Sequence, residues 1–379
     1  MSSFDFQPPQ LPANERQIRD QVRALCKAHM THPDILRRAN SWAVPDLAFS
    51  KALGAAGLIG MIWPQRYGGA ERTALERYIV LEELLAAGAP VGAHWIADRQ
   101  TGPLILRYGT EAQRERWLPG IARGEIYACI GLSEPGAGSD LAAVRTTARR
   151  HGDGWVLEGQ KVWTTNAHNA HVMIALIRSE EGSERQQGLS QFLIPMDTPG
   201  ITVRPIIDLT GGHDFNEVWF ENVQLPAEAL IGAEGKGWAQ ATAELSLERS
   251  GPERYLSSHV LVEALIDLAA RTGAENLLAL SGRLAAETWT LRQMSLAIAA
   301  KLAAGQDPAL EAAIVKDLGN SYEQEIPKLI QAAVDTDLAA DEPLALLLGY
   351  LLQISPSFSL RGGTREILKG IIARGMGLR

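Results

Sequence analysis

The stretch Ala128-Cys129-Ile130-Gly131-Leu132-Ser133-Glu134-Pro135-Gly136-Ala137-Gly138-Ser139-Asp140 decides how this chain is read. A short apolar run of strand-like length is stopped by Glu134-Pro135, and two glycines, a serine and an aspartate follow. Gly136 and Gly138 are expected to allow backbone conformations and close approaches that a Cβ would forbid. The hydroxyls of Ser133 and Ser139 flank the turn and can donate to a ligand. No Gly-Lys-Ser/Thr follows, which excludes a Walker loop, and the glycine spacing excludes the dinucleotide fingerprint. Taken alone, the pattern also fits a surface turn after a strand.

Outward from this stretch, the chain is 379 residues long, more than one comfortable core, so two or three domains are expected. Hydrophobic residues at 46% and charged ones at 21% describe an ordinary soluble protein. A net charge of −8 argues against a nucleic-acid binder or a binder of anionic membranes. It leaves room for an anionic small ligand held by local arginines. The two cysteines, Cys26 and Cys129, have neither metal spacing nor a disulfide framework, which fits a reducing, cytoplasmic setting. The start of the chain shows no signal peptide. The most apolar run, Leu344 to Ile354, falls short of the roughly 20 residues that span a bilayer, so no membrane insertion is expected.

Residues 1–10 read as an unstructured lead. From Ala13 to about Ala93 apolar residues recur three and four apart, as in Ile18, Val22 and Leu25, the helical period. Thr110 with Gln113 reads as a capping box. From Ile126 the texture changes to β-branched and aromatic residues between glycine turns, with strands expected at Val144–Arg149, Gly154–Gly159, Val162–Thr165, Val172–Arg178, Ser190–Pro195 and Asn216–Phe220. His151-Gly152-Asp153-Gly154 reads as a hairpin connection. In Lys161-Val162-Trp163-Thr164-Thr165-Asn166 a strand places Trp163 and Thr165 on one face. An indole beside a hydroxyl suits a flat polar heterocycle, and equally a tryptophan packed in a sandwich core. After Gly237 five alanine- and leucine-rich helical segments (237–271, 274–304, 308–336, 340–354, 364–376) predict a bundle with one extra helix. The expected fold class is α+β multidomain: an N-terminal α-helical domain (1–125), a middle β-domain (126–232) and a C-terminal helical bundle (233–379). His94-Trp95-Ile96-Ala97-Asp98-Arg99 has the look of a metal or triad fragment. Nothing completes either constellation, so core and cap roles are expected.

Ser-Glu-Pro-Gly-Ala-Gly-Ser-Asp closely resembles the Thr/Ser-Glu-Pro-x-Ala-Gly-Ser-Asp signature of the flavin-dependent acyl-CoA dehydrogenases. Further landmarks follow in the same order from about residue 50 to the C-terminus: Leu53-Gly54…Gly57-Leu58…Pro64…Tyr67-Gly68-Gly69, then Tyr108-Gly109-Thr110-Glu111, then Trp163-Thr164-Thr165. The resemblance implies FAD as cofactor and oxidation of an acyl-CoA thioester to trans-2-enoyl-CoA. It places Ile130, Ser133, Trp163 and Thr165 at the flavin, Thr364 and Glu366 on the adenosine side of FAD, Ser139 at the thioester and pantetheine end of the substrate, and Arg249 at the CoA moiety. Glu366 stands where many members have glutamine.

The α-proton of a thioester is far too weakly acidic for a carboxylate unless the developing enolate is stabilised. Such a site needs donors on the thioester oxygen and a base of raised pKa. Many members carry that base in Tyr-Glu-Gly-Thr near the C-terminus. Here Arg361-Gly362-Gly363-Thr364 puts glycine at the glutamate position, leaving Gly362 to serve through its backbone N–H. A subgroup places the base on a bundle helix in a Leu-x-Leu-Glu-Arg-like segment, and Leu245-Ser246-Leu247-Glu248-Arg249 resembles it, which nominates Glu248. Gly251 and Pro252 are expected to kink the helix beside Glu248. Glu244, one turn earlier, is a like-charge neighbour that would raise the Glu248 pKa.

Members commonly carry Arg-x-x-Phe-Gly against the FAD pyrophosphate of a neighbouring subunit; none is found around Arg271-Thr272-Gly273-Ala274. The resemblance implies an electron-transferring flavoprotein as electron acceptor. It also implies either a homo-oligomer (dimer or tetramer) or a mixed tetramer with a paralogue. The alternatives are a non-catalytic partner subunit and an oxidase or monooxygenase on the same scaffold.

Overall fold

A computed structural model of the chain describes residues 4–30, 34–248, 251–334, 339 and 342–378, with side chains except for those of 244–248. Six helices come first: α1 (Glu15–His29), α2 (Ile35–Ala39), α3 (Leu47–Ala55), α4 (Ala74–Ala86), α5 (Gly102–Tyr108) and α6 (Glu111–Ala122). Eight strands follow among the described residues: β1 (Ala128–Gly131), β2 (Thr147–His151), β3 (Gly154–Thr165), β4 (Val172–Arg178), β5 (Leu189–Pro195), β6 (Ile201–Ile206), β7 (Phe215–Leu225) and β8 (Leu230–Ile231). The chain then returns to helix with α7 (Gly237–Glu248), α8 (His259–Thr272), α9 (Glu275–Ala303), α10 (Ala309–Ala333), α11 (Pro343–Ile354) and α12 (Arg365–Gly375). The order is helical, β, helical, as the sequence predicts.

Packing divides the chain differently from its sequence order. One compact unit comprises Met1–Trp42, Arg72–Pro90 and Glu248–Arg379; the other comprises Ala43–Glu71 and Val91–Leu247. Helices α1, α2 and α4 therefore pack in the unit of α8–α12, and α3, α5 and α6 in the unit of the sheet.

The sheet runs β6-β7-β3-β2-β4-β5-β8, with β1 paired in parallel to β4. β4 reads Val-Met-Ile-Ala-Leu-Ile-Arg and buries its first six residues, the pattern of a strand covered on both faces. β7 alternates instead, turning Asn216, Val218 and Phe220 inward. The core gathers on Trp155, whose ring meets Phe192 edge-on at 5.1 Å. β2 and β3 are joined through Gly152-Asp153, the expected hairpin. The Thr110–Gln113 capping box is formed.

In the helical unit the buried carboxylate of Glu82 on α4 accepts from Arg292 Nε of α9 at 2.6 Å and from Arg19 Nη2 of α1 at 3.0 Å. A buried charge so paired avoids the desolvation penalty an isolated one would meet. The stretch Pro343–Leu360 is long and apolar enough, by length and composition alone, to cross a membrane. Its regular helix stops at Ile354, and Leu344, Leu347, Leu351 and Phe358 are buried in the unit while Leu346 and Leu360 are exposed, so it packs by one face.

Two expectations are corrected. Residues 237–271 do not form one kinked helix: α7 is described to Glu248, Gly251 is extended, Pro252–Arg254 form a 3-10 turn, and α8 begins at His259. Pro252 has no N–H to give the Glu248 carbonyl, and Gly251 before it is extended (φ −73°, ψ 168°), so the helix stops rather than bends. Gly154–Gly159 and Val162–Thr165 are not two strands but one, β3, carrying irregularities at Leu157/Gly159 and at Lys161/Thr164.

Candidate functional site

The signature loop follows β1. Glu134 and Ala137 exchange both backbone bonds, at 2.9 and 3.0 Å, and so close the Pro135-Gly136 turn. The Glu134 carboxylate is folded beneath it. It accepts from the Arg145 N–H at 2.6 Å, the Thr146 N–H at 3.0 Å and Lys161 Nζ at 2.7 Å. Lys161 is 0% exposed, and its ammonium also donates to the carbonyls of Leu176 at 2.6 Å and Leu132 at 3.3 Å. All three of its protons are used. Burial pushes the Glu134 carboxyl up, but Lys161 and the hydroxyl and amide donors outweigh it and hold the group below the usual carboxylate range. Burial pulls the Lys161 ammonium down, and Glu134 opposes it. Gly131 makes room for the pair: a Cβ there would lie 3.1 Å from Lys161 Cγ and 2.6 Å from Met173 Sδ.

A regular strand turns residues i and i+2 to one side. Lys161 is buried, yet Trp163, two residues on, is 59% exposed, while Thr164 is buried. The irregularity between Lys161 and Thr164 breaks the alternation, and Trp163 takes a φ of 60° to do so. Positive φ is a genuine outlier for a bulky residue, and bulges of this kind re-aim side chains. The indole stands edge-on to Phe215 of β7 at 6.1 Å. Thr165 is half-buried and pairs with Phe215, the residue whose ring meets Trp163. The Val162 N–H donates to the Ser133 carbonyl at 2.9 Å, which brings the loop and the bulge together.

The glycine reading needs correction. Neither Gly136 nor Gly138 has a positive φ, and a Cβ on either would meet nothing within 4 Å. Their lack of a side chain leaves open space beside the loop rather than relieving the backbone. Ser139 is exposed and Ser133 half-buried, and among the described residues the hydroxyls of Ser133, Ser139 and Thr165 make no hydrogen bond. Ile130 is half-buried on β1 opposite Ile174.

A second set lies at the C-terminal turn, in the other compact unit. Gly362 has φ +64° and Gly363 φ +103°, both in the left-handed region where an L side chain is strained. Lys316 Nζ donates to the Gly363 carbonyl. Arg361 lies between the rings of Trp42 and Phe358, at 4.7 and 4.5 Å, and reaches Ser257 Oγ at 3.1 Å and Glu323 Oε2 at 3.4 Å. Burial raises the Glu323 carboxyl, against Arg361 and Ser257. Thr364 caps α12 by accepting from the Ile367 N–H. Glu366 is exposed in the first turn, and its own N–H, then the Thr364 hydroxyl, hold its carboxyl below the usual range. Glu248 is the last described residue of α7, with its side chain, like that of Glu244, outside the described residues; Arg249 lies outside them altogether.

The His94–Arg99 segment is structural. His94 is buried with Nδ1 2.8 Å from Ser50 Oγ, and burial pulls its pKa down to about 4. Asp98 Oδ1 accepts the Gly60 N–H at 2.7 Å.

The model of the acyl-CoA dehydrogenase N-terminal domain matches residues 12–125 and that of the middle domain residues 129–223. Acyl-CoA dehydrogenase IpdE1 of Mycobacterium tuberculosis is 40% identical over 269 residues, covering 70% of this chain and 68% of its own. Its namesake in Mycolicibacterium smegmatis is 36% identical over 348 residues, covering 86% of each. The chain belongs to the acyl-CoA dehydrogenase family. Among solved structures, the Tcur3481-Tcur3483 steroid ACAD superposes with a TM-score of 0.87 at 25% identity, over 99% of this chain and 100% of that one. The ChsE4-ChsE5 complex from Mycobacterium tuberculosis superposes with a TM-score of 0.83 at 27% identity, over 98% and 99%.

Members of this family of flavin-dependent oxidoreductases typically use FAD, and the residues present fit the flavin end of that group. An exposed indole, the uncommitted hydroxyls of Ser133 and Thr165 and the open space beside Gly136 and Gly138 are the chemistry a flat, polar ring system needs. Ser133, Trp163 and Thr165 are brought together by the acyl-CoA dehydrogenase loop and bulge. Thr364, Glu366 and Gly362 belong to the other unit. Arg271, around which the Arg-x-x-Phe-Gly motif is missing, is paired with Glu342 at 2.6 Å. The sequence reading gave Lys161 and Glu134 no role. Two signals were available: a lysine at an inward strand position, and a glutamate inside the signature itself.

Proposed function

We propose that this chain is a catalytically competent FAD-dependent acyl-CoA dehydrogenase that converts an acyl-CoA thioester to trans-2-enoyl-CoA. FAD supplies the hydride acceptor at its N5. The Glu248 carboxylate takes the α-proton, and the Gly362 N–H donates to the thioester oxygen where negative charge develops. Ser139 binds the thioester and pantetheine end of the substrate, and Arg249 the CoA moiety. Ile130, Ser133, Trp163 and Thr165 face the flavin, and Thr364 with Glu366 the adenosine side. We assign these roles within functional domains 1–125, 126–232 and 233–379, with an electron-transferring flavoprotein as acceptor. Likeness to a steroid ACAD supports a bulky, steroid-derived acyl group.

The observation that carries the reading is the indole of Trp163, turned outward on a strained bulge beside the unbonded Ser133 hydroxyl. Trp163→Gly tests it. Relief of the left-handed backbone and the entropy cost of glycine are each about 1 kcal/mol and opposed, so apoprotein stability should change little. FAD affinity should fall two- to tenfold or more, since ring stacking is worth about 0.5–1.5 kcal/mol beyond the area buried. Equilibrium titration of apoprotein with FAD, beside a thermal melt, reads both. Equal affinity of variant and wild type would remove Trp163 from the flavin site.

A second reading, a subunit of a mixed assembly with a paralogue, is favoured by the missing Arg-x-x-Phe-Gly and by likeness to the ChsE4-ChsE5 complex. On this reading the chain retains more FAD through gel filtration when co-expressed with its paralogue than alone. Equal retention counts against it.

A further inference from the structure

We propose that the buried Lys161–Glu134 pair is a positioning device that holds the Ser133 hydroxyl and the Trp163 indole in one fixed geometry. The proposal rests on the flavin reading above for its consequence, but not for its geometry. Lys161 and Trp163 lie on the same strand, two residues apart, and point to opposite sides. For that, Lys161 must stay inward while the chain bulges at Val162–Trp163.

What keeps Lys161 inward is its three acceptors: Glu134 under the loop, Leu176 on β4 and Leu132 at the exit of β1. What keeps Glu134 beneath the loop is the same ammonium and two N–H groups at the entry to β2. The pair thus ties the residue before Ser133, the residue after it, and the strand that carries Trp163. The Val162 N–H then completes the link at the Ser133 carbonyl. Lys161 touches neither open space nor solvent, so its effect on a ligand runs through Ser133 and Trp163.

Gly131 is part of the device. Its missing side chain is the space occupied by the lysine stem and Met173. A fully buried lysine is a poor way to fill a sheet core, because removing one member of such a pair strands a buried charge, while an apolar pair of the same volume is often as stable. Geometry rather than stability is what the pair adds.

The test is the double variant Glu134→Gln with Lys161→Met, which removes both charges and leaves an amide oxygen for the Thr146 N–H. Three readouts are taken: amide exchange of peptides covering 129–139 and 160–166 in the apoprotein, FAD affinity with the flavin absorption band, and kcat separately from KM. The expected result is faster exchange at Val162, a shifted flavin band, FAD binding weakened about tenfold and kcat lowered by up to about a hundredfold, as for a misplacement of about 1 Å. KM for acyl-CoA should hardly move. Unchanged exchange, or an unchanged flavin band and affinity, overturns the proposal. Wild type that binds no FAD overturns the flavin reading instead, and the exchange at Val162 still decides whether the pair holds the bulge. If the double variant does not fold, Glu134→Gln with Lys161→Gln, an uncharged pair that can still hydrogen-bond, carries the comparison with the same readouts.

Discussion

Glu248→Gln is expected to slow flavin reduction by acyl-CoA at least about a hundredfold, because a positioned base contributes roughly 10² to 10⁴ in rate. That is about 3 to 5 kcal/mol at 1.36 kcal/mol per decade. The amide keeps the shape and most hydrogen bonding of the carboxylate but has no basicity, so FAD content and ligand affinity should be nearly unchanged. Stopped-flow reduction under anaerobic conditions measures the step directly. Glu244→Gln is the control on the same helix and should do much less. The nomination rests on two facts of the sequence: glycine at the C-terminal glutamate position, and the Leu-Ser-Leu-Glu-Arg segment at Leu245–Arg249. A Glu248→Gln protein that reduces its flavin as fast as wild type would move the base elsewhere.

The other large effect is expected at Gly362. With φ at +64°, this residue cannot be replaced by proline, whose φ is fixed near −65°, without rebuilding the turn, and proline also removes the N–H. Loss of one donor to the developing oxyanion costs about 10² to 10³ in kcat. Alanine keeps the N–H but meets left-handed strain of about 1 kcal/mol, so it is a blurred control. Asparagine tolerates the left-handed region better and is the sharper one. Gly362→Asn should stay well above Gly362→Pro in kcat at similar FAD content; equal rates would show that the N–H does not hold the thioester.

Much of the fold was legible because its elements follow simple periods. Val172–Arg178 is a strand with the ends the sequence predicts, since a continuous apolar run of six residues bounded by polar His171 and Arg178-Ser179 is too short for a typical helix. The long helices of the C-terminal region were read to within a few residues at each end. The strand β6 was missed because Ile-Thr-Val-Arg-Pro-Ile contains Pro205, which lowers a strand reading. As an edge strand it accommodates the proline. The joint between α7 and α8 was read as a kink because Gly251-Pro252 looks alike in sequence whether a helix bends or stops.

The candidate site divides in the same way. Ser133, Trp163 and Thr165 could be grouped from the motif, and the strand period put the last two on one face. The bulge that turns Trp163 outward could not be read, because it depends on Lys161 finding Glu134 across 27 residues of chain. A lysine in a strand is ordinarily read as solvent-facing, and its burial follows only from the partners that the fold assembles. The reading of Gly136 and Gly138 failed for a related reason. The sequence shows that a side chain is absent but not whether backbone strain or empty space explains it.

The central claim is that this chain, loaded with FAD, dehydrogenates an acyl-CoA. Its most direct test is anaerobic mixing of the FAD-bound protein, alone and with its paralogue, with short, branched, long and steroid-derived acyl-CoAs. Flavin absorbance and the enoyl product are followed together. The account predicts that a bulky, steroid-derived thioester bleaches the flavin and yields the trans-2-enoyl-CoA, and that Glu248→Gln does neither at a comparable rate. An FAD-bound protein whose flavin none of these thioesters reduces, with or without the paralogue, would contradict it.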